Sequence, residues 1–155
     1  MNYKIRPVRL HDVDLLYQHC FPENGLQWAR ELVSRARQIA LQGRGLGVVA
    51  VGIHDDVPFA YGQLTIWTRS AEISDLSVRE AQRGQGVGSA LIDYFIQMAK
   101  DSHVQQVDIG ALTSNIRALG LYRRLGFVDS HILNLDTGQP VQYLCLWIRS
   151  GKEEA

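Results

Sequence analysis

Three glycines at alternate positions, Gly84, Gly86 and Gly88, lead into a run whose apolar residues are Val87, Ala90, Leu91, Tyr94, Phe95 and Met98. Their spacing of three, one, three, one and three marks one face of a helix. The strand-like segment Glu72–Val78 precedes them. A chain with this junction has to set a glycine-rich turn between a strand and a helix start. Glycine allows dihedrals closed to other residues and lets a ligand approach the backbone. The first helical turn adds unpaired N–H groups and the positive end of the helix dipole. Arg83-Gly84-Gln85-Gly86-Val87-Gly88-Ser89 therefore reads as a phosphate cradle, with Arg83 as a further charged contact. A P-loop would need Lys between glycine and Ser, and here Ser89 follows Gly88 directly. A dinucleotide fingerprint would need Gly where Ser89 stands. Its ribose-binding acid would be Asp108, which falls inside a strand rather than at its end.

The spacing elsewhere predicts a strand over Tyr3–Arg9, with Pro7 near an edge or end, and a helix over Asp12–Cys20. Phe21–Gly25 is a turn, and Gln27–Leu41 is a second helix with Trp28, Leu32, Ala36, Ile39 and Ala40 on one stripe. Leu46–Ile53 and Pro58–Thr68 flank His54-Asp55-Asp56 as a hairpin. After the glycine-led helix come a strand over Val104–Ala111 and a helix bearing Ala118, Leu121, Tyr122 and Leu125. That helix is expected to be capped by Thr113 or Ser114 and to stop at Gly126. Phe127–Leu135 and Val141–Ile148 close the chain as two strands joined through Asp136–Gln139. The order gives an α/β (α+β mixed) single domain with about seven strands in a mixed, mostly antiparallel sheet and four helices on its two faces. The domain is expected over residues 1–149, with a frayed tail over 150–155.

Composition narrows the function classes. Lys plus Arg and Asp plus Glu are both 16, so the chain lacks the basic excess expected of a protein that lives on a phosphate backbone. Nucleic acid is not an expected partner. The longest uncharged runs, Val57–Thr68 and Thr137–Ile148, fall well short of the roughly 20 apolar residues a spanning helix needs, so no membrane is expected either. The first residues carry no apolar signal run, and the expected location is cytoplasmic. Cys20 and Cys145 are expected as reduced, packed thiols. The five histidines show no metal spacing, and no metal is expected.

Read together, several segments resemble the GNAT N-acetyltransferase superfamily. The cofactor motif of that family, Arg or Gln, two residues, Gly, one residue, Gly or Ala, is matched by Arg83, Gly86 and Gly88. Its preceding Leu-x-Val is matched by Leu76-Ser77-Val78. Its later Asn, Ala, Leu-Tyr and Leu-Gly-Phe are matched by Asn115, Ala118, Leu121-Tyr122 and Leu125-Gly126-Phe127. The match is close over Glu72–Phe127 and follows by layout elsewhere. The resemblance implies acetyl-CoA as acyl donor, bound by the backbone of Leu76, Ser77 and Val78 along its pantetheine arm. The amides of Gly84, Gln85, Gly86, Val87, Gly88 and Ser89 would hold its pyrophosphate. Asn115 would touch the pantetheine or fix the last helix. The acceptor implied is a small-molecule or peptide amine, and a homodimer is compatible, dimers being common in the family.

For the chemistry, Tyr122 is the candidate acid toward the departing thiolate; the alternative is a core aromatic on the Ala118/Leu121/Leu125 face. Glu72 is the candidate base for the amine, at the position where some family members hold a glutamate; the alternative is a solvated acid at a strand start. Asp75 is the rival base. Strand alternation places it on the opposite face from Glu72 unless a bulge shifts the register. A backbone N–H near Leu76 could donate to the thioester carbonyl. Arg30, Arg35, Arg37 and Arg44 make the second helix basic, either as a solvated face or as a lining that favours acidic acceptors. Two further readings stand beside the enzyme: a non-catalytic acyl-CoA-binding module and a dinucleotide-binding domain.

Overall fold

The computed structural model describes residues 2–134, 136 and 138–148. Seven strands form one sheet in the order β1-β2-β3-β4-β5-β7-β6. They are β1 (Tyr3–Pro7), β2 (Gly45–Gly52), β3 (Pro58–Ile66), β4 (Ser70–Val78), β5 (Gln106–Leu112), β6 (Val128–Leu133) and β7 (Val141–Trp147). Every neighbouring pair is antiparallel except β4 and β5, which run parallel. The crossover between those two is α3 (Val87–Asp101). The other helices are α1 (Val13–His19), α2 (Leu26–Leu41) and α4 (Ile116–Arg124). No helix among the described residues is long and apolar enough to cross a membrane.

Alternation along the central strands builds two cores. Val48 and Ala50 of β2 join Leu64, Ile73, Leu91, Phe95, Ile109, Leu119 and Phe127 under α3 and α4. Val49 and Val51 point the other way and join Tyr61 with Leu16, Leu32, Val33 and Ala36 of α1 and α2. Period-two strands against helices of period 3.6 produce this division. Fully burying a side chain such as Phe95 contributes about 1.5–3 kcal/mol.

The structure redraws several predicted boundaries. The first helix divides into a 3-10 turn over Leu10–Asp12 and α1 proper. The cap of α4 is Asn115, whose Oδ1 accepts from the Ala118 amide at 3.2 Å, rather than Thr113 or Ser114. Ser114 instead donates its hydroxyl to Gln139 Oε1. Phe127 does not begin β6. Its amide donates to the Tyr122 carbonyl, and its ring is buried in the core. Leu135, Thr137 and the boundary at residue 149 with its tail lie outside the described residues.

One polar cluster ties the α1/α2 layer to the sheet. Arg6 of β1 is buried and donates through both Nη atoms to Asp12 at 2.8 Å each, and through Nε to Asp56 of the β2–β3 turn at 2.9 Å. Asp12 is 1% exposed and also accepts from the Arg9 amide. Its carboxylate pushes the Arg6 guanidinium pKa up, against the lowering effect of burial. Removing one partner of a buried pair strands the other, a cost of about 3–5 kcal/mol. We expect Asp12→Ala to lower the urea unfolding free energy by about that amount. Arg9→Ala should leave the unfolding midpoint nearly unchanged, because Arg9 is exposed and 3.5 Å from Asp56.

Candidate active site

Pairing between β4 and β5 runs from Ser70/Gln106 to Ile73/Ile109 and ends there. Both strands continue. β4 stays on β3 as far as Val78/Ala60, and β5 stays on β7 as far as Leu112/Val141. Each is held on its outer side, so a gap opens between them at the carboxyl ends of the two parallel strands, a common location for ligands in open sheets.

A bulge in β4 lies at this gap. From Tyr61 to Gln63 β3 advances two residues, while its partners Ser77 to Ser74 advance three. The extra residue falls next to Asp75, whose φ of 54° is in the left-handed region. Asp tolerates that region better than most residues. Opposite the bulge is Gly62, where a Cβ would lie 2.7 Å from the Phe95 ring and 3.2 Å from Leu76 Cδ1. Leu76 therefore packs toward α3.

Beyond the bulge, the Arg79 amide donates to the Phe59 carbonyl of β3 at 2.7 Å. In a trans peptide the carbonyl points opposite to the amide, so the Val78 carbonyl is turned into the gap. There it accepts from Arg83 Nε at 2.9 Å. Arg83 was expected as a direct phosphate contact; the structure uses its Nε to pin the loop to β4. Of the Val78 backbone groups facing the gap, the N–H is left for a ligand. Ser77, expected among the cofactor contacts, is turned the other way: its backbone pairs with Tyr61, and its hydroxyl donates to the Cys20 carbonyl at 2.8 Å.

The glycine loop continues from this edge. Gly84 (φ 78°) and Gly86 (φ 83°) are left-handed, and Gly86 caps α3. The Ala90 amide donates to the Gly86 carbonyl, and none of the amides from Gly84 to Ser89 has a partner among the described residues. Around Gly86 nothing lies within 4 Å of where a Cβ would be. At Gly88 a Cβ would touch Leu121 at 3.7 Å, which sets α4 against the start of α3. Val87 is buried, so it contributes backbone only, while Gln85 is exposed. Arg117 is a residue sequence reasoning missed. Its Nη2 lies 3.4 Å from the Cβ position of Gly84, which puts a guanidinium over the loop.

Tyr122 lies on α4, 5% exposed and 6.4 Å from the Phe127 ring. Burial pushes its phenol pKa up, so the hydroxyl stays protonated. The one fully enclosed side-chain oxygen without a partner among the described residues is Gln82 Oε1. The Tyr122 hydroxyl makes no hydrogen bond among the described residues and is not enclosed in the same way. Asn115 fixes α4 by its cap, one of the two roles expected of it.

On the other face of the sheet, Glu72 pairs with Thr65 of β3 and with Asp108 of β5. Burial raises its carboxyl pKa above the usual range, and the charges of Asp108 and Asp75 add to the rise. Asp75 is raised by burial, with the Arg35 guanidinium pulling it back. Ile73 and Leu76, three apart, both pack toward α3, so the bulge leaves Asp75 on the Glu72 side of β4. Simple alternation, which sets the two acids on opposite faces, is overturned by the bulge. Asp108 also adjoins Cys145, whose thiol pKa is raised first by burial and then by that carboxylate. Cys20 is pushed up to about 12 by burial, with Arg79 working against the shift. Neither cysteine is paired.

Comparison with known proteins agrees with this geometry. Residues 10–127 match the model of the acetyltransferase (GNAT) family. Thialysine N-epsilon-acetyltransferase of Bos taurus is 32% identical over 87 residues, which is 56% of this chain and 48% of that protein. The chain thus spans about half the length of this curated relative. Among solved structures, Ard1 from Thermoplasma volcanium superposes with a TM-score of 0.81 at 19% identity, covering 97% of this chain and all of that one. A GNAT family acetyltransferase from Elizabethkingia anophelis, solved with acetyl-CoA bound, gives 0.69 at 21% identity over 95% of this chain and 99% of its own. With its matched segment spanning both the parted strands and the glycine loop, the chain belongs to the GNAT acetyltransferase family.

Proposed function

We propose that this chain is an acetyl-CoA-dependent N-acetyltransferase acting by direct transfer to a primary amine. The observation that carries the reading is the parting of β4 and β5 beside unpaired loop amides: a strand edge with open backbone groups leads onto a helix start fit to hold an anion. When bound, acetyl-CoA supplies the activated acetyl thioester. The chain supplies the rest. The amides of Gly84 to Ser89 hold the pyrophosphate, with Arg117 as their cation. The Val78 N–H and the Leu76 backbone hold the pantetheine as an added strand. Glu72 accepts the proton that the amine must lose before its nitrogen can form the new C–N bond, with Asp75 as the second candidate. A backbone N–H at the bulge stabilises the carbonyl oxygen as charge develops on it. As the C–S bond breaks, Tyr122 donates its proton to the sulfur, and its raised pKa keeps that proton available at neutral pH. The acceptor is a small-molecule or peptide amine, and the reading implies the cytoplasm as the location. The α2 flank carrying Arg35 borders the acceptor side.

Three variants test the reading. Gly86→Asp places a carboxylate where the phosphate sits, and Asp tolerates the left-handed backbone better than most residues. Calorimetry with CoA should show binding lost while the circular dichroism spectrum stays native. Unchanged affinity would remove the loop from the site. Tyr122→Phe keeps the ring packed and deletes the donor. Its kcat should fall by about 10²–10⁴ at unchanged acetyl-CoA affinity, and a value within about threefold of the parent would make the phenol purely structural.

The third variant bears on the base. A base must be ionised, so kcat/KM should rise with pH as Glu72 deprotonates, and the raised pKa moves that rise above the usual carboxylate range. Glu72→Gln should abolish this limb and regain part of the loss at high pH, where free amine is already present. If Asp75→Asn shows the pH-rescued defect and Glu72→Gln does not, the role passes to Asp75. If neither does, proton removal runs through water and backbone.

A further inference from the structure

Just before the gap, the paired part of β4 and β5 sets two carboxyls side by side. Glu72 is the register partner of Asp108, one pair short of Ile73/Ile109, where bonding between the strands ends. Bonded strands lie about 4.8 Å apart, and register partners turn their side chains to the same face. Alternation fixes which face. Ala71, Ile73, Val107 and Ile109 enter the core under α3, so Glu72 and Asp108 stand on the other side, both half-buried. Their row continues to Thr65 of β3 on one flank and to Cys145 of β7 on the other. Gln106, two residues before Asp108 and so on the same face, donates its Nε2 to Asp108 Oδ1 at 2.9 Å. A neutral amide therefore holds that carboxylate in place. Among the described residues neither Glu72 nor Asp108 forms an ion pair. The other charged or titratable groups on this side are Asp75, with Arg35 of α2 acting on it, and the Cys145 thiol beside Asp108. Arg44, between α2 and β2, lies over the Trp67 ring at 5.3 Å. Burial raises the Glu72 carboxyl most, the Asp108 charge adds next, and Asp75 follows.

We propose that Asp108 is the positioning residue of the base: held by Gln106 beside Glu72, its negative charge makes Glu72 a stronger proton acceptor for the incoming amine. This rests on the acetyltransferase reading and on Glu72 as its base. A carboxylate of ordinary strength is a poor match for a protonated alkylamine, whose reference pKa is ~10.4. A general base works best when its own proton affinity nears the working pH. A like charge one strand away moves Glu72 in that direction, and no cation of the row cancels it. The cation that arrives is the substrate ammonium. When its proton passes to a Glu72 carboxylate oxygen, the amine nitrogen keeps the electron pair that forms the C–N bond, and the repulsion between the two carboxylates is relieved. Asp108 acts through Glu72 and takes no proton itself.

Carbon-13 NMR of the side-chain carboxyls tests this without turnover, the Glu72 signal being the one lost in Glu72→Gln. Asp108→Asn keeps the shape and the acceptor for Gln106 while removing the charge. The Glu72 midpoint should move to lower pH and still lie above the usual carboxylate range, because its burial remains. Asp75→Asn should move it less, and Asp108→Glu, which keeps the charge, should stay near the parent. If Asp108→Asn does not fold, Asp108→Thr removes the same charge with a residue at home in strands. Turnover is read as CoA release with pentylamine, lysine amide and alanylglycine as acceptors. In Asp108→Asn the acid limb of kcat/KM should move to lower pH and kcat should fall about threefold, with the acetyl-CoA KM unchanged. A Glu72 midpoint that stays in place in the neutral variant overturns the proposal, whatever the rates do. A midpoint that moves while the limb of kcat/KM stays removes Glu72 as the base and this proposal with it, and leaves the acetyltransferase reading standing. A parent that binds acetyl-CoA but acetylates none of the three amines overturns that reading and the role of Asp108 together.

Discussion

After Ile73 and Ile109, β4 and β5 share no further hydrogen bonds, although each remains bonded to its outer neighbour. Backbone groups facing such a gap are costly when buried without partners, about 1–3 kcal/mol each. The fold limits that cost at one point by turning the Arg83 side chain back onto the Val78 carbonyl. The groups still open are those an extended amide-bearing arm would satisfy. The parting also lets one molecule be reached from both sides of the sheet, with α3 and α4 on one face and Glu72 on the other. In an unbroken sheet these two faces would be sealed from each other, each over its own core.

The bulge at Asp75 follows from the same constraint. An extra residue bends its strand and increases the local twist, which turns the end of β4 away from β5. It also resets which side chains share a face. Glu72 and Asp75, three apart, would diverge in a regular strand; here they are close enough for Asp75 to raise Glu72. One backbone irregularity thus opens the gap and brings two carboxyls to its rim. Gly62 accommodates it from β3 by leaving room for the Phe95 ring and Leu76.

Legibility from the sequence divides along physical lines. The glycine loop and the helix it starts were readable because both signals are local: glycine spacing and apolar period each act within a few residues. The strand and helix order, and the placement of Tyr122 on the last helix, followed from the same kind of signal. The Asp75 bulge was not readable, since Ser74-Asp75-Leu76 contains no glycine and the register shift is defined only against β3. The cap of α4 was missed because Thr113, Ser114 and Asn115 can all cap a helix, and the choice depends on where β5 ends. Ser77 was placed with the cofactor because motif spacing counts residues and does not say which way a backbone group points. Arg117 was missed for a related reason: it lies beside Gly84, a residue of a distant loop, and only the assembled fold brings the two together.

The two faces of the site are also held by different forces. On the cofactor side, α3 and α4 are fixed by apolar packing, with Leu91, Phe95, Leu119 and Phe127 in one cluster and Leu121 against Gly88. Such packing is close to that of a crystal and tolerates little shape change. On the other side, the α1/α2 layer is tied to the sheet by the Arg6–Asp12–Asp56 cluster as well as by its own core, and Ser77 joins β4 to the end of α1. Charge-assisted bonds fix direction more strictly than apolar contact does. They set how far α1 and the turn after it stand from the bulge, while the sequence of that turn can change without disturbing them. The glycine-loop side and the α1/α2 side of the gap therefore rest on separate cores, packed on opposite faces of β2 and β3 and held by different forces.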